Sequence, residues 1–224
     1  MVNLLERLKR FKATEYDVNR AKYDSIVSSQ KPHTLFITCS DSRIDVEKIL
    51  QADPGEIFHI RNIANIVPRE KEPEQHPAVI SAIEYAVKVL KVENIVVCGH
   101  SNCGGCAALM HIQDYEERLP YTSEWIRQII LLRDRIIEKY PEKSEEEQAA
   151  LLERLNVVQQ IDNLMTYDFV RRNVEMGVLR LMGFFFNLAT GIVSEYVYDK
   201  EAAELIEETA QKLEEEHATS PENA

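Results

Sequence analysis

Two short apolar runs, each followed within two residues by a cysteine, most constrain what this chain can fold into. Residues 35–37 lead into Cys39, and residues 94–97 lead into three cysteines and a histidine within 98–106. Apolar runs this short are typical of strands buried in a parallel sheet. In open α/β sheets ligands bind beyond the carboxyl ends of strands, so loops that follow two such strands can form one site.

The order of the other elements supports the same fold class. Pro77 suits the first position of a helix, and Gly104 and Gly105 open another helix behind the second cysteine cluster. Strands alternating with helices predict an α/β fold, with a mainly parallel sheet core flanked by helices. The predicted elements are strands at 33–38, 56–60 and 94–98, helices at 45–50, 123–139 and 144–172, and a strand or hairpin at 178–186 and 192–198.

No repeat, low-complexity tract or Pro/Gly linker divides the chain, so we expect one domain over 1–224. It comprises an N-terminal helical arm at 1–28, a core at 30–198, and an acidic C-terminal helix and tail at 199–224. The arm begins with four apolar residues at helical spacing, which predict an amphipathic helix. Its apolar stripe needs a partner surface, either the chain's own core or another subunit. The four are Leu4, Leu5, Leu8 and Phe11.

Charge and composition exclude several classes of function. The net charge is −12, which argues against a nucleic-acid partner because phosphates bind basic surfaces. No apolar run approaches the roughly 18 residues of a membrane span, and the start lacks the pattern of a signal peptide. Three of the four cysteines fall within nine residues beside a histidine, which favours metal or redox chemistry in a reducing compartment. We therefore expect a cytoplasmic protein.

Cys39, His100 and Cys103 form the best candidate metal site. Zinc prefers tetrahedral sulfur and nitrogen ligands, and a catalytic site leaves its fourth position open. A closed structural site formed by Cys98, His100, Cys103 and Cys106 is an alternative, but it leaves Cys39 unexplained. A redox pair of Cys103 and Cys106 is another, but it assigns no role to His100. Otherwise Cys98 is expected to be a small buried strand residue, and Cys106 a helix residue that packs inward.

Asp41 and Arg43 follow Cys39 and would lie close to the open position. A carboxylate there either binds the metal and closes the site, or pairs with the guanidinium, whose planar fork suits a two-bond contact. A paired aspartate stays ionised and can accept a hydrogen bond from a metal-activated hydroxide, which it would orient towards an electrophile. A purely structural ion pair at a turn is the alternative.

Four segments resemble the hallmark motifs of the β-class carbonic anhydrases, in the expected order. A later stretch, 156–164, resembles a helix of that family, and the resemblance runs from about 30 to 198. The four segments are Cys39-Ser-Asp-Ser-Arg43, Arg61-Asn-Ile-Ala-Asn65, Glu84-Tyr-Ala-Val87 and Gly99-His-Ser-Asn-Cys-Gly-Gly105.

This resemblance implies a function and a set of site residues. It implies that one Zn²⁺ per chain is held by Cys39, His100 and Cys103, and that the Asp41–Arg43 dyad orients zinc-bound hydroxide for reversible hydration of CO2 to bicarbonate and a proton. It also implies a homodimer or a dimer-based homo-oligomer, with the N-terminal arm laid on a partner subunit. The implied substrate-binding residues are Gln30, Phe58, Ile63, Tyr85 and Gly104. Because relatives of the family hydrolyse carbonyl sulfide or carbon disulfide, that activity is the alternative.

Two departures from the family pattern refine these expectations. In one branch the aspartate closes the site, and an inhibitory bicarbonate binds through a Trp, an Arg and a Tyr. Here the matching positions are Phe36, Arg61 and Phe186, so two hydrogen-bond donors are missing. We therefore expect the open arrangement, with Asp41 paired to Arg43 and no strong inhibition by bicarbonate. Val89 occupies the position of a proton-shuttling histidine in some plant members, so no shuttle is identified.

Overall fold

A five-stranded sheet forms the centre of the computed structural model, which describes residues 3–70 and 76–195. The strands lie in the order β2-β1-β3-β4-β5; the first four are parallel, and β5 is antiparallel to β4. This arrangement confirms the mainly parallel α/β fold. The strands are Thr34–Cys39 (β1), Ile57–Asn62 (β2), Asn94–His100 (β3), Arg180–Phe186 (β4) and Val193–Glu195 (β5).

Helices flank this sheet, and three of them begin as the sequence predicts. Asp45 caps α3 through its side chain, Pro77 begins α4, and Gly104 begins α5. The helices are Leu4–Phe11 (α1), Arg20–Ile26 (α2), Val46–Leu50 (α3), Pro77–Tyr85 (α4), Gly104–Met110 (α5), Ile112–Tyr115 (α6), Pro120–Ile126 (α7), Ile130–Lys139 (α8), Glu145–Thr166 (α9) and Asp168–Glu175 (α10).

The two central strands are buried along their whole lengths, as expected for parallel strands covered on both faces. Their side chains alternate between two apolar clusters. Leu35 and Ile95 pack on one side with residues of α4 and α9, whereas Phe36 and Val96 pack on the other with residues of α3. The two apolar runs of the sequence thus become the middle of the core.

Each of the two long predicted helices is interrupted in the structure. A 3-10 turn, Arg127–Ile129, separates α7 from α8. Tyr167 has an extended backbone between α9 and α10, and its buried hydroxyl donates to the Pro68 carbonyl at 2.6 Å. The predicted hairpin is confirmed as β4 and β5, although β5 is described only to Glu195. The predicted acidic helix and tail, 199–224, lie outside the described residues.

The predicted amphipathic helix at the start is also confirmed. Asn3 caps α1, and none of its eight residues is buried against the rest of the chain. Leu4, Leu5 and Leu8 are each more than 60% exposed, at 67%, 70% and 63%. Among the residues that the structure describes, none covers this apolar stripe. Among the described residues, no helix has the length and apolar character to cross a membrane.

Candidate metal centre

Cys39 and His100 meet because they end two neighbouring parallel strands. Cys39 is the last residue of β1, His100 is the last residue of β3, and Cys103 immediately precedes α5. From β1, the sheet continues to β2 on one side and to β3 on the other. The carboxyl edge at such a change of direction is where α/β sheets bind ligands.

The three side chains form the group among the described residues whose donor atoms suit a metal ion. Their ligand atoms lie within 4.8 Å of one another, and the two sulfur atoms are 4.0 Å apart. All three residues are buried. The Nδ1 atom of His100 pairs with the Ser101 carbonyl at 3.0 Å, while its buried Nε2 has no hydrogen-bond partner. This fixes the ring and leaves one nitrogen facing the two thiols.

The electrostatics of the two thiols fit a soft divalent cation. A hydrogen bond with Cys103 and burial raise the pKa of Cys39 to about 12, although the His100 ring and the Ala64 backbone N–H lower it. A hydrogen bond with Cys106, together with burial, raises the pKa of Cys103 to about 12. Two thiolates therefore form here when a cation offsets their charge. Two sulfurs and one imidazole are a donor set that fits zinc.

The closed four-ligand site does not fit this geometry, and the electrostatics do not favour the redox pair. Cys98 packs in the apolar cluster around Phe36, whereas Cys106 packs with Cys39 and Cys103. The closed four-ligand site is therefore not assembled, and both residues are buried as expected. All four thiols are free. The raised pKa of Cys103 is the opposite of the lowered value that activates a redox thiol.

Asp41 is paired with Arg43 and stands back from the ligands. The guanidinium donates to both carboxylate oxygens, at 2.9 Å and 2.6 Å, and the Arg43 backbone N–H donates at 2.9 Å. These bonds hold the pKa of Asp41 well below its usual range, against a rise caused by burial. The carboxylate lies 4.0 Å from His100 Nε2. The pair expected from the sequence is therefore formed, and an open fourth position on zinc stays a prediction.

Two arginines join the loops that carry the ligands. Arg43 also donates to the Asn102 carbonyl at 3.0 Å, which links the loop after β1 to the loop after β3. Arg61 donates to the carbonyls of Cys39 and Asp41, at 3.1 Å and 2.7 Å. This structural role of Arg61 was missed in the sequence, because its targets are backbone atoms. The absence of strong bicarbonate inhibition stays a prediction.

The contact of Glu153 with the loop that carries the ligands was also missed in the sequence. Glu153 lies on α9, is buried, and accepts the Cys103 backbone N–H at 2.7 Å. Burial raises the pKa of this carboxyl, although the hydrogen bond from Cys103 and the nearby His100 ring oppose the rise. A lone glutamate within a helix gives no sequence signal for such a contact. Glu153 thus anchors the loop that carries His100 and Cys103 to the longest helix.

The expected substrate-binding residues fall into two groups. Phe58 and Tyr85 are neighbours, with ring centroids 6.1 Å apart. Tyr85 also lines a surface groove with Gln30 and the end of the arm, and none of the three ligands lines that groove. Ile63 lies instead beside the metal loop, where its carbonyl accepts the Trp125 indole N–H at 2.8 Å.

Two glycines let the backbone crowd around the site. A Cβ on Gly99 would lie 2.6 Å from a methyl carbon of Val157, and one on Gly105 would lie 2.7 Å from a methyl carbon of Ile63. A Cβ on Gly104 would meet no atom of the described residues within 4 Å, so packing among them does not require a glycine there.

Comparisons with known proteins agree with this geometry. A sequence model of the carbonic anhydrase family matches residues 34–193. A carbonic anhydrase of Helicobacter pylori (strain J99) is 34% identical over 203 residues, which cover 89% of this chain and 91% of that protein.

Solved structures extend the comparison to the fold. The β-carbonic anhydrase CcaA superposes with a TM-score of 0.83 at 31% identity, covering 87% of this chain and 93% of that one. A tetrameric β-carbonic anhydrase of Sordaria macrospora gives a TM-score of 0.71 at 30% identity, covering 87% of this chain and 95% of that one. With its cysteines and histidine gathered at the carboxyl edge of this sheet, the chain belongs to the β-class carbonic anhydrase family.

Proposed function

We propose that the chain hydrates CO2 reversibly to bicarbonate and a proton, with zinc held by Cys39, His100 and Cys103. The observation that carries this proposal is the convergence of three buried donor atoms beside an ionised carboxylate. When bound, zinc supplies a Lewis acid that makes water nucleophilic near neutral pH. The protein's own groups must then orient the nucleophile and hold CO2.

Asp41 is proposed to orient the nucleophile. As an ionised carboxylate it only accepts hydrogen bonds, and Arg43 occupies both of its oxygens without filling all of their lone pairs. It can therefore accept a hydrogen bond from a nucleophilic hydroxide and direct the oxygen lone pair towards the carbon of CO2. Arg43 keeps Asp41 ionised and, through the Asn102 carbonyl, fixed relative to the second ligand loop.

The substrate side is proposed to need a second copy of the chain. Phe58, Ile63 and Tyr85 supply apolar surface suited to CO2, and the Gly104 backbone is available to an anion. Gln30 lies in a groove that the ligands do not line, so we propose that it reaches bicarbonate across a dimer interface. The exposed leucines of α1 fit an arm that packs on the partner.

We propose a homodimer or a dimer-based homo-oligomer, in line with the tetrameric Sordaria macrospora relative. The assignment of the whole chain, 1–224, to one domain with an arm, a core at 30–198 and an acidic tail is kept as part of this proposal. So is a cytoplasmic location, because a reducing compartment keeps the ligand thiols available to zinc.

Removing and returning the metal tests the function. Stripping the protein with a chelator should abolish CO2 hydration, and one equivalent of Zn²⁺ per chain should restore it. The matched variants are Cys39→Ser, which should lose both zinc and activity, and Cys98→Ser, a buried cysteine outside the ligand set, which should keep both. Hydrolysis of carbonyl sulfide without CO2 hydration would overturn the proposal and favour the alternative substrate.

A further inference from the structure

A row of buried polar side chains on α9 binds the backbone of the segment that follows β2. The members recur every three or four residues, so they share one helix face. Asn156 donates to the Ala64 carbonyl at 2.8 Å. Gln160 accepts the Val67 N–H at 2.8 Å, and Asn163 donates to the Val67 carbonyl at 2.8 Å. Gln160 also donates to Asn156 Oδ1 at 2.6 Å, so the row is a connected network.

Other contacts hold the same segment from outside the helix. Asn62 forms two side-chain bonds with the backbone of Ile66, at 2.9 Å and 2.8 Å. Trp125 donates to the Ile63 carbonyl at 2.8 Å. The backbone between these anchors is strained, since Ala64 and Asn65 have φ values of 61° and 48°, which non-glycine residues rarely adopt. Side chains therefore maintain a conformation that the segment would not keep alone.

This segment packs directly against the metal centre. Ala64 is fully buried in the same apolar cluster as Cys39 and Cys103. A Cβ on Gly105, two residues after Cys103, would lie 3.0 Å from the Ala64 Cβ and 2.7 Å from an Ile63 methyl carbon. The segment is thus wedged between the end of β1 and the second ligand loop.

We propose that Asn156, Gln160 and Asn163 are positioning residues of the metal centre, acting through residues 63–67. They fix Ala64 against the two ligand cysteines, and Ile63 against the second loop, so that the ligands are spaced for zinc before it binds. This inference rests on the proposed function, which assigns Cys39 and Cys103 as zinc ligands. It adds residues that touch neither metal nor substrate to the machinery of the site.

Disrupting the row should weaken zinc binding by more than the accompanying loss of folding stability would explain. Contacts that orient metal ligands typically change metal affinity by about 10- to 100-fold when they are lost. The packing of Ala64 in the same buried cluster as Cys39 adds a spectroscopic consequence, because the surroundings of a metal ligand tune the metal. Moving Ala64 should shift the thiolate-to-cobalt absorption band of the Co²⁺-substituted protein.

The test compares Asn156→Leu with Gln148→Leu in the full chain. Gln148 lies on the same helix, is buried, and donates to the Tyr140 carbonyl at 2.9 Å, away from residues 63–67. Both variants should lose conformational stability. Only Asn156→Leu should weaken Zn²⁺ binding by about 10- to 100-fold in a chelator competition and shift the cobalt–thiolate band. Equal zinc affinities and equal spectra in the two variants would overturn the inference.

A second variant keeps the test decisive if Asn156→Leu fails to fold. Trp125→Phe removes the outer hydrogen bond to Ile63 from a residue that is only partly buried. We expect a smaller loss of zinc affinity and a shift of the band in the same direction; an unchanged affinity and band would count against the proposal. Wild-type protein that binds no zinc would overturn the proposed function as well, which separates the two failures.

Discussion

The metal centre and the N-terminal arm differ in how much of each is complete within one chain. At the metal centre every ligand is buried, and both ligand loops are joined to neighbouring segments by side-chain hydrogen bonds. On the arm, α1 buries none of its residues and exposes three leucines. Within the described residues, the first region is complete in a single chain, whereas the apolar stripe of the second region is left uncovered.

This difference separates two kinds of chemistry. Zinc binding should depend on the ligands and on the helix that holds their loops, whatever the protein concentration. Access to substrate should depend on assembly, because Gln30 and Tyr85 share a groove with the end of the arm and not with the ligands. Changes at the metal centre should therefore alter zinc binding, whereas changes on the arm should alter assembly and activity.

The largest effect should come from removing a ligand. Cys39→Ser replaces a buried thiol with a poor zinc ligand, so the chain should lose its metal and at least about three orders of magnitude of turnover. Metal analysis and a CO2 hydration assay of the same sample measure both. Stoichiometric zinc with near-normal activity in this variant would remove Cys39 from the site.

A smaller effect should follow from neutralising the carboxylate beside the ligands. Asp41→Asn keeps the size of the side chain but places an amide donor where the nucleophile needs an acceptor. Turnover should fall by about 100-fold while zinc stays bound. Turnover should fall less in Arg43→Lys, which retains the positive charge but loses the two-bond contact. Full activity in Asp41→Asn would show that the pair is only structural.

Charged substitutions on the arm should disrupt the oligomer without reducing the zinc content. In Leu5→Glu/Leu8→Glu, two exposed apolar residues become acidic, so the oligomer should dissociate and activity should drop about tenfold at low protein concentration. Sedimentation velocity and metal analysis should show smaller particles with full zinc. Lys9→Glu, at an exposed polar position of the same helix, is the control. An unchanged oligomer in the double variant would mean that the arm packs elsewhere.

The smallest effect concerns a carboxylate on α9. Burial raises the pKa of Asp162 to about 6 from an ordinary 3.8, although Arg69 opposes this. The folded state therefore binds the proton more tightly than the unfolded state does. The free energy of unfolding should fall as pH rises from about 4 to about 6, and above that range the whole penalty applies.

Asp162→Asn should therefore stabilise the chain by about 1 to 2 kcal/mol at pH values above about 7, after allowance for the exposed part of the side chain. Near pH 4 the two proteins should be almost equally stable. Urea denaturation at both pH values measures the difference, with the exposed Asp114→Asn as the control. A stabilisation that is the same at both pH values would not come from this titration.

The sequence predicted the parts of the site that depend on short patterns. Cys39 and His100 could be located because each follows a short apolar run within three residues, and such runs form buried parallel strands. The helix start at Pro77 followed from local backbone chemistry in the same way. These features are fixed by neighbours in the chain, so one sequence is enough to find them.

The parts that depend on distant backbone atoms could not be predicted in this way. Arg61 and Asn156 look like ordinary polar residues until the carbonyl oxygens that they bind are known. The residue after α9, Tyr167, forms a hydrogen bond with Pro68, which lies nearly one hundred residues away in the sequence. The amide of Asn156 and the hydroxyl of Tyr167 would suit a solvated helix face equally well, so the sequence pattern alone does not reveal that these side chains are buried.

The central claim is that this centre, with Asp41 held by Arg43, is an open zinc site that hydrates CO2. Stopped-flow CO2 hydration with a pH indicator, on protein of measured zinc content, tests it most directly from about pH 6.5 to about pH 9. The account predicts one zinc per chain and turnover that rises with pH through the mildly alkaline range. Stoichiometric zinc without turnover at any pH would contradict it.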